Sequence, residues 1–198
     1  MSHETWSPAD TNDLSFRYIE INGVNTATGE VNPVEVSVTE APSRARMRVR
    51  SGDIIVSLTR PHYGAIALID NTLDGCIAST GFAILRDFLI DGLSRSYLLC
   101  ILRCKVSLMQ MQQRSSGGNY PAITEEELKR IAIPVPDLEV QQKIATEIAN
   151  HHKQARRLRE EARIIWDEAK HRFEEELLGP ELGTKESRTG DAKGGRNQ

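Results

Sequence analysis

The chain has 198 residues, 39% of them hydrophobic and 27% charged, which is typical of a globular protein with room for one domain and an additional element. Its net charge of −3 does not by itself indicate nucleic-acid binding, although a local basic surface can bind DNA on an acidic protein. No apolar run approaches the ~20 residues of a membrane span, the N-terminus lacks a signal-peptide pattern, and three irregularly spaced cysteines argue against a disulfide framework, so we expect a cytoplasmic protein with no membrane association.

Residues 1–136 have the pattern of a β-rich domain. The polar segment 1–13 is predicted to be a flexible leader in which Trp6 can pack against the domain. Beyond it, runs of β-branched and aromatic residues alternate with turns that contain Gly, Pro or Asn, a pattern that predicts short strands. These strands are expected over 16–21, 34–38, 53–58, 65–69 and 82–85.

One predicted strand has an arginine at every second position. The four residues are Arg44, Arg46, Arg48 and Arg50. On an extended strand all four guanidinium groups point to one face, and no acidic residue lies between Glu40 and Asp53 to neutralise them. The alternation favours an anionic partner, although a solvated sheet face would give the same pattern.

The segment 93–114 changes to a helical period and is predicted to be one helix packed on the sheet. The glycine-containing segment 115–118 ends this helix. Thr124 and Glu127 form a capping-box pattern for a short helical turn. A last strand is predicted over 131–133.

The segment 137–178 is predicted to be a single long helix. It contains no proline or glycine from Leu138 onwards for about 40 residues, which is typical of a coiled coil or a helical spacer. Apolar residues and one histidine recur at alternating spacings of four and three, the seam of a coiled coil: Ile144, Ile148, His151, Ala155, Leu158, Ala162, Ile165 and Ala169. Because a lone helix would leave this seam in water, we expect a partner helix. Residues 179–198 are predicted to be a disordered tail.

No catalytic centre is recognisable in the sequence. Cys100 and Cys104 lie one helical turn apart but have no further ligand at the usual metal-site spacing, so core packing is the simpler interpretation. A small enzyme acting through Cys76 and His62 remains an alternative that no spacing supports. We therefore expect no catalytic residue, no metal and no bound cofactor.

Several segments, in their order along the chain, resemble one known family. They are Ala41-Pro-Ser-Arg-Ala-Arg46, Ser51-Gly-Asp-Ile-Ile-Val-Ser57, Arg60-Pro61, Cys76-Ile-Ala-Ser-Thr-Gly-Phe82, Ser115-Ser-Gly117, Tyr120-Pro-Ala-Ile123, and Ile131-Ala-Ile-Pro-Val-Pro-Asp-Leu138 with Gln141 and Ile144. Together they resemble the target-recognition domain and spacer helix of type I restriction-modification specificity subunits. The resemblance covers roughly residues 16–178. The expected fold class is therefore α+β, with a β-rich recognition domain followed by one long coiled-coil spacer helix.

The resemblance implies a function without chemistry. Such subunits read a split double-stranded DNA sequence and carry it to an adenine methyltransferase subunit, which uses S-adenosylmethionine, and to a translocating restriction subunit. The usual subunit has two recognition domains and two antiparallel spacer helices, whereas this chain has one of each and resembles a half-length form. Pairing with a second copy would restore the architecture and imply an interrupted palindrome as the target. Pairing with another half-subunit is an alternative.

The same resemblance and the positions of polar residues in loops suggest which residues contact DNA. Arg44, Arg46 and Arg48 are expected at phosphates, and the loop residues at phosphates or base edges are Arg60, His62, Tyr63, Ser79, Thr80, Arg114, Ser116, Asn119 and Tyr120. Because arginine suits guanine and asparagine suits adenine, Arg60 and Asn119 are the preferred base-reading candidates. The shared motifs can instead hold the scaffold while 23–40 and 62–75 specify bases.

Two further interpretations remain open. The chain can be a protein-interaction adaptor that uses its coiled coil, or an inactive truncated specificity subunit. The residues expected at the subunit interface are Ile144, Ile148, Ala155, Leu158, Ala162, Ile165 and Ala169.

Overall fold

The computed structural model describes residues 1–87 and 91–179. They divide into two units, of which the first is Met1–Ile148 and the second begins at Ala149. Within the described ranges the strands are β1 (Ser15–Ile19), β2 (Val34–Ser37), β3 (Ala45–Arg48), β4 (Ile54–Ser57), β5 (Ile66–Leu68), β6 (Ile77–Ser79) and β7 (Phe82–Leu85). The helices are α1 (Arg95–Leu102), α2 (Lys105–Gln113), α3 (Glu125–Lys129) and α4 (Leu138–Leu178). The predicted α+β class, with a β-rich region followed by one long helix, is confirmed. The predicted tail falls almost entirely on residues 180–198, outside the described residues.

The strands form two sheets. The four-stranded sheet has the order β2-β1-β6-β3, in which β1 and β6 run parallel and the other neighbours run antiparallel. The three-stranded sheet is antiparallel, with β4 between β5 and β7. The chain passes from the four-stranded to the three-stranded sheet between β3 and β4, which are consecutive in sequence.

The two sheets pack against each other through one hydrophobic cluster. Ile19 and Ala78 from the four-stranded sheet meet Ile55 and Phe82 from the three-stranded sheet, and all four are buried. The opposite face of the three-stranded sheet packs against the helices in a second cluster, through Ile54, Val56, Leu98, Leu102 and Met111. Strand β4 is therefore buried on both faces, which explains its continuous apolar run.

A buried ion pair joins segments from both sheets. Asp53 is 1% exposed and accepts hydrogen bonds from Nε and Nη2 of Arg86, each at 2.9 Å. Arg86 also donates to Glu4 at 2.7 Å, and the backbone N–H of Arg50 donates to Asp53 at 2.7 Å. The hydrogen bonds to Asp53 raise the pKa of Arg86, and those from Arg50 and Arg86 lower the pKa of Glu4. Each buried charge therefore has a partner.

The first residues of the N-terminal segment, within the flexible leader predicted over 1–13, are packed on the domain. The backbone N–H of Trp6 donates to Arg46 at 2.7 Å, and that of Arg48 donates to Glu4 at 2.9 Å. The Trp6 ring is buried and lies 4.5 Å from the ring of Phe16. The segment pairs with the outer edge of β3, a main-chain interaction that its polar composition does not reveal.

Two further predictions about secondary structure are wrong. The segment predicted as one helix over 93–114 is two helices, because Cys104 adopts an extended conformation between α1 and α2. The strand predicted over 131–133 is absent, because the side chain of Gln110 donates to the carbonyl of Ala132 and accepts from its N–H, both at 2.9 Å. A side chain thus makes the hydrogen bonds that a neighbouring strand would make.

The first turn of α4 is fixed by a buried glutamine. Gln141 is 1% exposed, accepts a hydrogen bond from the N–H of Ser94 at 2.8 Å, and donates to the carbonyls of Gly92 and Pro136 at 2.9 and 2.7 Å. All of its side-chain hydrogen-bonding atoms are engaged inside the first unit. The glutamine of the junction motif therefore anchors the start of the helix.

In the second unit, the residues of α4 beyond Ile148 carry exposed apolar side chains. The largest are Leu158, Ile164, Ile165, Trp166, Phe173 and Leu177, each at least 45% exposed. Ion pairs between residues three or four apart, such as Arg163 with Glu160 and Asp167, line the same stretch. Among the described residues, no helix combines the length and apolar character that a membrane span requires.

We expect Asp53→Ala to lower the free energy of unfolding by about 3 kcal/mol, because it removes the buried partner of the Arg86 guanidinium. The exposed carboxylate of Asp87 makes a matched control, and Asp87→Ala should change stability by less than about 0.5 kcal/mol. Urea denaturation of the two variants measures this difference. Equal stabilities would contradict the structural importance of the pair.

Candidate nucleic-acid interface

The first unit has an open cleft of about 670 Å³. Its walls come from the end of β1 and the loop that follows, the start of β3, the loop after β4, and β6. The lining residues are Tyr18, Glu20, Ile21, Asn22, Val24, Asn25, Thr26, Arg44, Thr59, Arg60, Tyr63, Ala65, Ser79 and Tyr120. Five of the residues predicted to contact DNA are thus brought together, although they lie far apart in sequence: Arg44, Arg60, Tyr63, Ser79 and Tyr120.

Arg60 holds one wall of this cleft in place. Its backbone has φ = 48°, the left-handed region that non-glycine residues rarely adopt. In that conformation the guanidinium lies 4.4 Å from the centre of the Tyr120 ring and donates to the carbonyl of Asn119 at 3.0 Å. The guanidinium of the preferred guanine-reading candidate is therefore engaged by its own chain.

The loop 116–122, which contacts Arg60, is closed by hydrogen bonds between its two ends. Ser116 and Ala122 exchange two backbone hydrogen bonds of 2.9 and 2.8 Å. Gly117 has φ = 98°, and a Cβ there would lie 3.1 Å from the carbonyl oxygen of Tyr120, so glycine is required. Ser116 and Asn119, both predicted DNA contacts, are exposed on this loop but do not line the cleft.

The arginines of the stripe have different surroundings. Arg44 lines the cleft, whereas Arg46 and Arg48 do not. The pairing of β3 with β6 shifts between Ala45 and Met47, but these two residues stay buried while Arg46 and Arg48 stay partly exposed. Arg50 is neutralised by Glu4, at 2.8 Å, which contradicts the expectation of an uncompensated stripe. Among the described residues, no carboxylate pairs with Arg44, Arg46 or Arg48.

The predicted contacts His62, Thr80 and Arg114 do not line the cleft. His62 packs its ring 4.4 Å from that of Tyr63, and its Nδ1 is buried without a partner among the described residues. The Ser79 hydroxyl accepts from the N–H of Gly81 at 3.1 Å, and Thr80 is exposed beside it. Arg114 lies outside the cleft and forms an ion pair with Glu127 at 3.1 Å.

The prediction missed part of the cleft wall formed by β1 and the residues that follow it. Tyr18, Glu20 and Asn22 line the cleft and were not predicted, whereas Asn25, which also lines it, lies in the segment 23–40 that was the alternative prediction for base reading. The Asn25 side chain is used internally, because its Oδ1 accepts from the N–H groups of Ala27 and Thr28 at 2.9 and 3.0 Å. The available signal was the position of Glu20 and Asn22 at the end of a strand, where functional side chains commonly lie.

The described residues offer no support for metal or thiol chemistry. No group of three or more His, Cys, Asp or Glu residues that could hold a metal ion is found among them. Burial raises the pKa of the Cys76 thiol, which disfavours the nucleophilic thiolate that a cysteine enzyme needs. The cleft is therefore suited to binding through arginine, aromatic and amide groups.

A family model described as the type I restriction modification DNA specificity domain matches residues 6–163. The chain belongs to this family. The recurrent segments that pointed to the family from the sequence include the cleft residues Arg60, Ser79 and Tyr120, and the helix anchor Gln141.

Two specificity subunits are similar to the chain in sequence. The HindI specificity subunit of Haemophilus influenzae is 31% identical over 109 residues, which cover 54% of this chain and 24% of that protein. The MjaIX specificity subunit of Methanocaldococcus jannaschii is 28% identical over 141 residues, which cover 71% of this chain and 29% of that protein. The chain thus aligns with less than a third of the length of each of these relatives.

Solved structures agree with the specificity-domain fold. The HsdS subunit from Thermoanaerobacter tengcongensis matches with a TM-score of 0.67 and 31% identity, over 89% of this chain and 46% of that one. A chain from a structure that addresses complex assembly and conformational transition of a type I restriction-modification system matches with a TM-score of 0.69 and 29% identity, over 90% and 46%. The chain spans about half the length of each.

We expect Tyr120→Ala to loosen the loop that Arg60 holds. Loss of the contact between the guanidinium and the ring should speed hydrogen exchange of the Ser116 and Ala122 amides about two- to fivefold. Tyr120→Phe keeps the aromatic face and should exchange like the parent protein. Identical exchange in both variants would show that Arg60 does not hold the loop through this ring.

Proposed function

We propose that the chain is the non-catalytic sequence-specificity subunit of a cytoplasmic type I restriction-modification enzyme, in which it reads one half of a bipartite DNA site. It docks the adenine methyltransferase subunit, which binds S-adenosylmethionine, and the restriction subunit. The observation that carries the proposal is the cleft, which gathers arginine, tyrosine and amide side chains in a member of the specificity-domain family.

The distribution of arginines supports a contact with phosphates. Arg50, Arg86 and Arg114 are paired with carboxylates and serve the scaffold. Arg44, Arg46 and Arg48 have no acidic partner among the described residues and flank one edge of the domain. Unpaired guanidinium groups on one edge release counterions from DNA when they bind its phosphates, which gives affinity that does not depend on sequence.

The exposed seam of α4 supports pairing with a second copy. Leu158, Ile165 and Ala169 belong to the predicted seam, and the first two are 55% and 64% exposed. Apolar side chains at heptad spacing are covered when another helix packs against them. Ile144 and Ile148, the first two seam residues, lie within the first unit and are half-buried there.

Charge along the helix favours an antiparallel pair. Residues 149–163 contain five basic and two acidic side chains, a net charge of +3. Residues 164–178 contain two basic and five acidic side chains, a net charge of −3. Two antiparallel copies place opposite charges side by side, whereas two parallel copies place like charges together. A two-fold pair of this kind would read two equivalent half-sites, so we propose an interrupted palindrome as the target.

DNA binding measured across salt concentrations tests the proposed function. Affinity for double-stranded DNA should fall steeply as salt rises, by orders of magnitude over a few-fold change. Combining Arg44→Ala with Arg46→Ala should weaken binding to all sequences alike and reduce the slope of log affinity against log salt by about 2.

Lys129→Ala is the matched control, because Lys129 lies outside the cleft and already pairs with Glu126 at 2.8 Å. This variant should bind DNA like the parent. An absence of DNA affinity at low salt would instead favour a protein-interaction adaptor. A changed sequence preference in the double variant would contradict phosphate contact by these two arginines.

We expect Leu158→Lys to separate the proposed dimer, since it places an unpaired charge in the apolar seam. Asn150→Lys adds the same charge to the same helix away from the seam and should leave the dimer intact. Sedimentation velocity gives the mass of each variant. A dimeric Leu158→Lys variant, or a monomeric parent chain, would contradict pairing of two copies through this seam.

A further inference from the structure

The loop after β1 has a fixed backbone. Its 3₁₀ turn, Ile21–Gly23, is closed by a hydrogen bond from the N–H of Gly23 to the carbonyl of Glu20 at 3.0 Å. The N–H of Asn32 donates to the carbonyl of Gly23 at 2.8 Å, and Arg103 donates to the carbonyl of Ala27 at 2.9 Å. A loop held in this way presents its outward side chains in a defined position before any ligand binds.

Two side chains on this loop are available to bind a ligand. Glu20 and Asn22 are exposed, line the cleft, and have no side-chain hydrogen bond to another described residue. Asn25, in contrast, is used to shape the loop. Glu20 shares the cleft with Arg44, yet the two do not form an ion pair. Among the described residues, the cleft therefore contains both a carboxylate and a guanidinium that have no ion-pair partner.

A carboxylate in a DNA-binding cleft needs a specific partner. Phosphates repel it, so it contributes nothing to the non-specific attraction that Arg44 supplies. On the base edges of the major groove, the acceptors N7 and O6 of guanine, N7 of adenine and O4 of thymine also repel a carboxylate. Two donors remain, the N6 amino group of adenine and the N4 amino group of cytosine, and only cytosine carries its donor without an acceptor on the same base.

We propose that Glu20 is a base-reading residue that accepts a hydrogen bond from the N4 amino group of a cytosine in the major groove. The inference rests on the proposed function, because it requires the cleft to take up DNA. Arg44 would position the duplex through the adjacent phosphate, while the fixed loop holds the carboxylate at one base pair. Glu20 thus supplies selectivity rather than affinity.

Selection from a library of double-stranded DNA with randomised positions tests the proposal, with the full chain at about 50 mM salt. The parent protein should select a cytosine at one position of the half-site. Glu20→Gln should lose about 5- to 150-fold of the discrimination for cytosine at that position only. Glu40→Gln removes the same charge from an exposed residue outside the cleft and should select the parent sequence.

Each outcome separates this inference from the proposed function. Sequence-specific binding with the same preferences in Glu20→Gln and the parent would overturn the role of Glu20 and leave the proposed function standing. Loss of preference at every position in Glu20→Gln would also overturn it, since a base-reading residue acts at one base pair. No selected sequence for the parent would overturn the proposed function itself.

Discussion

The bidentate ion pair between Asp53 and Arg86 connects the parts of the recognition domain. Asp53 precedes β4, Arg86 follows β7, and the pair also engages Glu4 and the backbone at Arg50, which follows β3. Segments of both sheets and of the N-terminus are therefore joined at one buried site. Because the cleft takes its walls from the four-stranded sheet and from the loop after β4, its shape depends on how these sheets are held together.

The same residue types occur in the scaffold and among the candidate DNA contacts. Their hydrogen-bond partners show to which of the two groups each residue belongs. The guanidinium of Arg60 lies over the ring of Tyr120, and the side chain of Gln141 makes all of its hydrogen bonds to backbone groups. These motif residues therefore act by holding loops in place. Glu20 and Arg44 have no such partners among the described residues. In this chain the motif residues thus shape the loops, while Glu20 and Arg44 remain available to a ligand.

The periodic spacing of apolar residues predicted those structural elements that depend on local sequence. The alternation in β3 and the apolar run of β4 reflect faces that are buried, and the long segment without proline or glycine permits one continuous helix, so the β-rich domain and α4 were predictable. The pairing of Glu4 with Arg50 and the replacement of a strand by the Gln110 side chain were not, because each depends on residues 22 or more positions apart. Glu20 was not predicted as a site residue for the same reason, since its proposed role depends on a cleft that is completed by Arg60 and Tyr120.

In the proposed function, DNA occupies the cleft rather than another face of the domain. Hydrogen exchange of the full chain, with and without its selected DNA, tests this most directly because it reports every loop at once. When DNA is bound, the amides of the loops 20–26 and 115–122 should exchange more slowly, with little change in α2. Protection confined to α2 or α3, with both cleft loops unchanged, would contradict it.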